Sequence, residues 1–236
     1  MQKLKNRGII LFLLLVILVV ILLGNYFYMK NRFVMLDVNS GLVQNLYQSV
    51  VPNKNIYILK QLYNENGLSN EYKLNMGIMN LVNNGNTGIL NAEDVENSIK
   101  NILGDSIDVT HQTIQFMLGD YCGYTYNEQE KKYIPFDGCG NSPNEFIYQK
   151  LLSAAENKDK ILLKEQIIYF TLDRTTHDVN IYNNVKSEKL IDNIQNFDGE
   201  FTELDLDNYI REGAIYEYEF IKEKGNYFFT GIRKIE

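Results

Sequence analysis

The chain contains no tryptophan and has only three prolines, two cysteines and two histidines among its 236 residues. So few cysteine and histidine side chains cannot supply the clustered ligands of a zinc or iron–sulfur site. The scarcity of proline, together with only 16 glycines, excludes a collagen-like or low-complexity chain. Basic residues are also in the minority, since 23 Lys and Arg face 30 Asp and Glu, and the net charge of −7 argues against binding to nucleic acid.

Apolar residues are abundant and are concentrated near the amino terminus. Residues 9–23 read IILFLLLVILVVILL, an unbroken run of fifteen apolar side chains. With the aromatic residues that follow, residues 8–28 are long enough as a helix to cross a hydrocarbon core of about 30 Å. At roughly −0.3 to −0.6 kcal/mol per residue, insertion of the fifteen is favourable by about 4 to 9 kcal/mol. We predict a transmembrane helix over residues 8–28.

A cleaved signal peptide is the alternative interpretation of this segment, because both kinds of segment begin with basic residues and continue with an apolar run. Cleavage requires small residues in an A-x-A-like pattern, whereas Tyr26, Phe27 and Tyr28 follow here. Bulky aromatic residues are typical of the membrane interface. The sequence therefore favours an uncleaved signal anchor. Since residues 1–7 carry more basic side chains than the residues just after the span, we expect a cytoplasmic amino terminus.

On this interpretation the protein is a single-pass protein of the cell membrane, with a juxtamembrane connector at residues 29–39 and an extracytoplasmic domain at residues 40–236. The chain beyond residue 32 carries every acidic residue, with 18 Lys and Arg against 30 Asp and Glu. Such a surface repels anionic lipid and nucleic acid and attracts cations or basic partners. Solubility alone is the alternative explanation of this charge.

The spacing of apolar residues predicts helices first and strands afterwards. Helical periodicity follows Ser40, Ser69 and Asn91, which can each cap a helix at its amino end. The pattern from Ile56 to Tyr63 does not decide between helix and strand. Beyond Ser106 the period falls to two, which predicts strands near residues 124–126, 133–136, 146–155, 161–172, 179–182, 215–221 and 227–232. This order predicts an α+β domain in which helices cover one face of an antiparallel sheet.

The last two predicted strands form the hairpin YEYEFIKEKGNYFFTGIRKI, with aromatic side chains on one face. This hairpin resembles the final strands of nuclear transport factor 2-like and cystatin-like folds, in which a helix lies across a curved antiparallel sheet. The resemblance implies a pocket between helix and sheet that aromatic side chains would line. As a whole, the chain is similar to uncharacterised membrane-anchored proteins of low-GC Gram-positive bacteria. That similarity is one of composition and architecture and implies no activity.

The only two cysteines, Cys122 and Cys139, suggest a disulfide if the domain is extracytoplasmic. If residues 127–130 form a hairpin loop, Cys122 lies opposite Pro135, and a turn just beyond that residue can bring Cys139 towards it. Closing a loop of about 18 residues would stabilise the fold by about 3 kcal/mol in the chain-entropy model. Two buried, unpaired thiols are the alternative.

A reactive cysteine is a further alternative. The sequence DYCG around Cys122, followed later by His177, resembles the cysteine and histidine of NlpC-type cell-wall peptidases. The resemblance implies that His177 would act as the base that generates the Cys122 thiolate. Those enzymes place an aspartate directly before the cysteine and begin a helix there. Here Tyr121 intervenes and the following residues alternate as in a strand.

Acidic and histidine residues supply the other candidate sites. If Glu203, Asp205 and Asp207 lie on a strand, their carboxylates share one side of it, and oxygen-rich sites suit Ca²⁺. A solvated acidic face is the alternative. His111 and His177 lack the spacing of metal ligands, and we expect both to be polar surface residues. No motif indicates a bound cofactor.

Three functional hypotheses follow from these patterns. The first is a non-enzymatic binding or interaction module, tethered to the lipid bilayer, that recognises an envelope protein or a small ligand. The second is a cell-wall hydrolase that uses Cys122 and His177. The third is a structural subunit of an envelope complex.

Overall fold

The computed structural model describes residues 15–24, 32–51, 55–64, 68–116, 122–136 and 144–236. Residues 15–24 are helical, and we call this segment the apolar helix. The other parts of the predicted transmembrane helix, residues 8–14 and 25–28, lie outside the described residues. Within the described ranges, no helix combines the length and the apolar character needed to cross a bilayer.

Among the described residues, four helices pack against sheet in the first half of the chain. They are α1 (Gly41–Val50), α2 (Ile56–Asn64), α3 (Asn70–Asn83) and α4 (Ala92–Leu103). Ser40 caps α1 by accepting a hydrogen bond from the Val43 amide, and Ser69 caps α3 by accepting one from the Tyr72 amide. Both predicted caps are confirmed. The undecided segment after Ile56 is helical.

Helix α4 also begins where the sequence predicts. Asn91 precedes it, but its side chain makes no hydrogen bond to the helix backbone and donates to Asp94 Oδ2 over 2.9 Å instead. Gly104 ends the helix with a φ of +89°, a left-handed conformation that a glycine adopts without strain.

The larger of the two antiparallel sheets in the described ranges has the strand order β1-β6-β7-β10-β11, and β8 and β9 extend it beside β7. The strands that form it are β1 (Val34–Leu36), β6 (Glu145–Glu156), β7 (Lys160–Leu172), β8 (Val179–Tyr182), β9 (Leu190–Ile194), β10 (Ala214–Glu223) and β11 (Asn226–Lys234). The five strands predicted in this region are present. Two were not predicted: β9, and β1, which lies in the predicted juxtamembrane connector.

A second, smaller sheet has the strand order β2-β5-β4-β3. Its strands are β2 (Leu90–Asn91), β3 (Ile114–Gln115), β4 (Gly123–Asn127) and β5 (Lys132–Pro135). The sequence predicts a single sheet that includes the β4–β5 hairpin. This prediction is wrong, because the hairpin belongs to a separate small sheet. The domain is therefore α+β, with helices packed against two antiparallel sheets.

The β4–β5 hairpin has a different register from the predicted one. Asn127 pairs with Lys132 and Tyr124 pairs with Pro135, so the loop comprises residues 128–131. Lys131 belongs to this loop because it has a φ of +51°, outside the strand conformation. The prediction that Cys122 lies opposite Pro135 is wrong, since Pro135 pairs with Tyr124.

Strand β7 is buried on both faces in its second half. Ile167 and Tyr169 belong to the main core beneath the helices, whereas Ile168 and Phe170 belong to a second, smaller core. This alternation places the two cores on opposite sides of the sheet. Short helical turns between residues 201 and 212 cover the second core. Helical structure therefore lies on both faces of this sheet, although the four longer helices pack on the main core.

Gly77 allows α3 and α4 to approach closely. A Cβ atom at this position would lie 2.4 Å from Ile99 Cγ1, which is closer than real carbon contacts allow. We expect Gly77→Ala to destabilise the fold by about 1–2 kcal/mol, because overpacking outweighs the gain of about 1 kcal/mol in helix propensity. Urea unfolding measures the change.

Gly41 supplies the matched control for this substitution. It also lies in a helix, but nothing lies within 4 Å of the Cβ that an alanine would add. Gly41→Ala should leave the free energy of unfolding unchanged or slightly higher. Equal stability of the two variants would contradict the close contact between α3 and α4.

Candidate functional site

Helix α4 separates two open clefts in the described part of the chain. The larger has a volume of about 660 Å³ and lies between the end of α3, the first three turns of α4 and the segment that joins α3 to β2. We call it the amide cleft, because asparagine side chains make up much of its lining. These asparagines are Asn80, Asn84, Asn86, Asn97 and Asn101.

The local sequence explains how the amide cleft forms. Helix α3 ends in a turn at Gly85, whose φ is +95°, and the Asn86 amide donates back to the Leu81 carbonyl. The chain then continues past Gly88, where an added Cβ would meet nothing within 4 Å, and pairs with β5 as strand β2. Both ends of this segment are thus held by backbone hydrogen bonds, and the space beside it is open.

The hydrogen bonds within the amide cleft leave much of its capacity unused. Asn80 Nδ2 donates to Ser98 Oγ over 3.0 Å, and Asn84 Nδ2 donates to the Asn80 carbonyl. Among the described residues, the exposed side chains of Asn86, Asn97 and Asn101 have no protein partner. Each free amide group offers two donors and one acceptor to a ligand.

The amide cleft carries almost no formal charge. Asp94 is its only charged lining residue among those described, and this carboxylate already accepts a hydrogen bond from Asn91. Apolar surface is also limited, with Ile89 as the strongly exposed aliphatic side chain of the lining. The cleft can therefore recognise neutral polar groups by hydrogen bonding.

The smaller cleft, of about 420 Å³, lies on the other side of α4 and contains His111. His111 Nε2 lies 2.8 Å from Glu96 Oε1, and Nδ1 lies 2.8 Å from the Tyr133 hydroxyl. The ring also stacks on Tyr126, with 4.9 Å between the ring centroids. In the neutral ring, Nε2–H donates to the carboxylate and Nδ1 accepts from the hydroxyl.

This arrangement holds His111 in place and leaves it no free ring nitrogen. A general base needs a lone pair within reach of the substrate, and both nitrogens are engaged here. Burial raises the pKa of the Tyr133 hydroxyl, so this group stays protonated as a donor. The expectation that His111 is a surface residue is wrong, because it is a half-buried link between α4 and the small sheet.

The interior of the main core contains a carboxylate, Glu165 on β7, which is fully buried. The Tyr63 hydroxyl donates to Glu165 Oε2 over 2.6 Å and the Tyr218 hydroxyl over 2.5 Å, while the Tyr47 hydroxyl donates to Oε1. Gln149 Nε2 in turn donates to the Tyr63 hydroxyl over 2.7 Å. These hydrogen bonds replace the water that a buried carboxylate loses.

We call Glu165, Tyr47, Tyr63, Tyr218 and Gln149 the Glu165 network. Its members come from α1, α2, β6, β7 and β10. Burial, followed by the charge of Glu165, raises the pKa of Tyr63 and Tyr218 well above the usual value. Glu165, Tyr63 and Tyr218 are buried in the core, whereas Tyr47 and Gln149 are partly exposed. The network joins helices to sheet, and these contacts support a structural role.

Buried tyrosines make the stability of the fold depend on alkaline pH. The pKa values of Tyr63, Tyr72 and Tyr218 are raised by burial, so above pH 10 the unfolded chain loses protons that the folded chain keeps. The free energy of unfolding should therefore fall above pH 10, by about 1.4 kcal/mol per pH unit for each such tyrosine. Urea titrations between pH 9 and pH 11 measure this slope.

Tyr72→Phe provides the comparison, because the Tyr72 hydroxyl lies outside the Glu165 network and donates to the Val50 carbonyl. This variant should be less stable at neutral pH and should show a shallower decline above pH 10. An unchanged slope would contradict the raised pKa of Tyr72.

The structure does not bring Cys122 and His177 together. Cys122 directly precedes β4 of the small sheet, and His177 is an exposed residue with a φ of +59° in the β7–β8 turn of the larger sheet. No contact joins the two side chains within the described ranges. The expectation that His177 is a surface residue is confirmed.

Cys122 is buried, and no cysteine among the described residues is a free thiol. The chain has one other cysteine, Cys139, which lies outside the described residues. The disulfide between them therefore stays a prediction.

The acidic residues predicted as a calcium site do not lie on a strand. Glu203 is in a 3₁₀ turn, while Asp205 caps the short helix α5 (Leu206–Tyr209), which contains Asp207. Asp207 lies 2.8 Å from Lys150 Nζ, and this hydrogen bond lowers the pKa of the carboxyl. In the described parts of the chain, no group of three His, Cys, Asp or Glu side chains is arranged to hold a metal ion. The premise of the calcium prediction is therefore not met.

Sequence reasoning missed both the amide cleft and the Glu165 network. The run NNGNTG at residues 83–88 is a signal for a turn, and Asn97 and Asn101 have the i, i+4 spacing of one helix face. Glu165, a lone carboxylate within a long apolar strand pattern, was the available signal for the network.

Comparison with known proteins identifies no relative, since no family model, no curated protein and no solved structure matches the chain. The resemblances of the final hairpin and of Cys122 and His177 therefore stay predictions.

Proposed function

We propose that this protein is a membrane-tethered binding module whose folded domain lies outside the cytoplasm. The observation that carries the proposal is the exposure of the apolar helix. Its nine large apolar side chains, from Leu15 to Leu23, are each between 40% and 62% exposed. Burying one such side chain is worth about 1.5–3 kcal/mol, so a helix that is apolar on every side favours a lipid environment.

The charge distribution supports the orientation. The basic residues before the apolar run outnumber those just after it, which favours a cytoplasmic amino terminus and places the chain beyond the run on the opposite side of the membrane. The partners of such a protein are the lipid bilayer and either an envelope protein or a small ligand.

Two observations favour binding over catalysis. Both ring nitrogens of His111 are engaged by protein groups, and Cys122 is not a free thiol. A cysteine hydrolase requires a thiolate and an adjacent base. The open amide cleft, by contrast, offers unused hydrogen-bonding groups to a ligand.

The tether can be tested with a chain that carries a carboxyl-terminal tag. We expect this chain to stay with the membrane after alkaline carbonate extraction, and we expect protease added to intact protoplasts to remove the tag. Recovery of a trimmed chain in the medium would instead indicate a cleaved signal peptide, and a protected tag would reverse the orientation.

A double variant, Leu18→Arg with Ile21→Arg, tests the apolar helix itself. Each arginine near the centre of a span costs about 2.5–3.5 kcal/mol, enough to offset most of the predicted insertion energy. We expect the variant to lose membrane integration. The control, Leu18→Val with Ile21→Val, should behave like the unmodified chain.

The disulfide distinguishes the binding module from the hydrolase. We expect no reaction with a thiol reagent in denaturant, and two reactive thiols after reduction. Reduction should also destabilise the fold by about 3 kcal/mol. A reactive Cys122 in the unreduced protein, together with cleavage of peptidoglycan that Cys122→Ser abolishes, would support the hydrolase instead.

A further inference from the structure

We propose that the amide cleft binds an uncharged, polyhydroxylated ligand, namely a segment of a neutral saccharide. This inference names the ligand class of the binding module and so rests on the proposed function. The amide cleft has a volume of about 660 Å³, which lies within the range of about 300–1,000 Å³ that is typical of small-molecule sites.

The chemistry of the lining selects against charged ligands. An anion needs a positive partner, and the described lining contains no lysine or arginine. A cation would have Asp94 alone, whose carboxylate is already engaged by Asn91. Neutral amides bind hydroxyl groups without needing a charged partner, because both groups donate and accept hydrogen bonds.

The positions of the free amides suit a ligand with several hydroxyl groups. Asn97 and Asn101 lie one turn apart on the same face of α4, about 6 Å from each other. Asn86 lies on the segment that forms another side of the cleft. One ligand can therefore contact helix and loop together, and the exposed side chain of Ile89 can pack on the C–H face of a sugar ring.

An extended peptide fits these observations less well. A peptide would need apolar pockets for its side chains or a free strand edge for its backbone. The cleft offers the exposed side chain of Ile89 but mainly polar groups otherwise, and the nearby β2 is a strand of only two residues. A saccharide can form hydrogen bonds with more of these polar lining groups than an extended peptide can.

Two independent variants can fill the cleft or remove its hydrogen-bonding groups while preserving the fold. Gly88→Leu fills open space, because nothing lies within 4 Å of the added Cβ and the backbone has no left-handed φ. Asn97→Ala with Asn101→Ala removes two free amides at exposed helix positions, where alanine favours the helix. Thermal unfolding would verify that both variants are folded.

Matched controls lie elsewhere on the chain. Gly41→Leu adds the same side chain at another glycine with open space around it. Asn208→Ala removes an exposed asparagine that does not line the cleft. Both controls should bind ligand as the unmodified chain does.

The experiment uses the full chain in lipid nanodiscs, because detergents with sugar headgroups would compete. Maltotriose and tri-N-acetylchitotriose serve as neutral probes, while trigalacturonate and deacetylated chitotriose serve as anionic and cationic comparators. Calorimetry should show saturable binding of at least one neutral probe and weaker binding of the charged ones. Gly88→Leu should abolish this binding, and the double asparagine variant should weaken it about tenfold or more.

Several outcomes would overturn the inference. These are the absence of binding by both neutral probes, a preference for a charged probe, binding of an extended peptide in their place, or binding that both cleft variants leave unchanged. A chain that stays in the membrane but binds no saccharide overturns this inference alone. A chain found trimmed in the medium overturns the tether, and its cleft can still be tested with the same probes.

Discussion

The burial of one carboxylate constrains the whole domain. Glu165 sits in the main core, where a charge without hydrogen bonds would be prohibitively unfavourable. The hydroxyls that compensate it belong to Tyr47 on α1, Tyr63 on α2 and Tyr218 on β10. The groups that solvate the carboxylate therefore also fix two helices on the sheet. Because α3 packs on α2, and α4 packs on α3 through Gly77, the walls of the amide cleft depend on this arrangement.

Features set by neighbouring residues could be predicted from the sequence, and features set by distant residues could not. The caps at Ser40 and Ser69 and the turn of the final predicted hairpin depend on a few adjacent positions, and all are present. Long strands were also predictable, because their apolar residues alternate over many positions. The small sheet was not, because β2 and β3 have only two residues each and exist through pairing with distant strands.

The sites show the same distinction more sharply. Glu165 is visible in the sequence as a carboxylate at an alternate strand position between the apolar residues Leu163 and Ile167. Its tyrosine partners, however, lie 53 to 118 residues away. The sequence pattern of the amide-cleft asparagines indicates a turn and the polar face of a helix, and the structure places them in such a turn and on such a face. Their meeting in one cleft depends on how closely α3 and α4 pack. The premise of the predicted calcium site is not met for a related reason, since its three carboxylates would share a side only in a strand, and the segment forms short helical turns instead.

Strand β1 limits how far the domain can lie from the membrane. Its three residues, beginning at Val34, pair with β6, so folded structure starts six residues after the end of the predicted span at Tyr28. A fully extended chain of that length reaches only about 20 Å. If residues 8–28 span the membrane, this short connection keeps the domain close to the bilayer, in the layer immediately above the lipid headgroups. A polymer recognised there would have to approach the membrane, since the domain cannot reach outward to meet it.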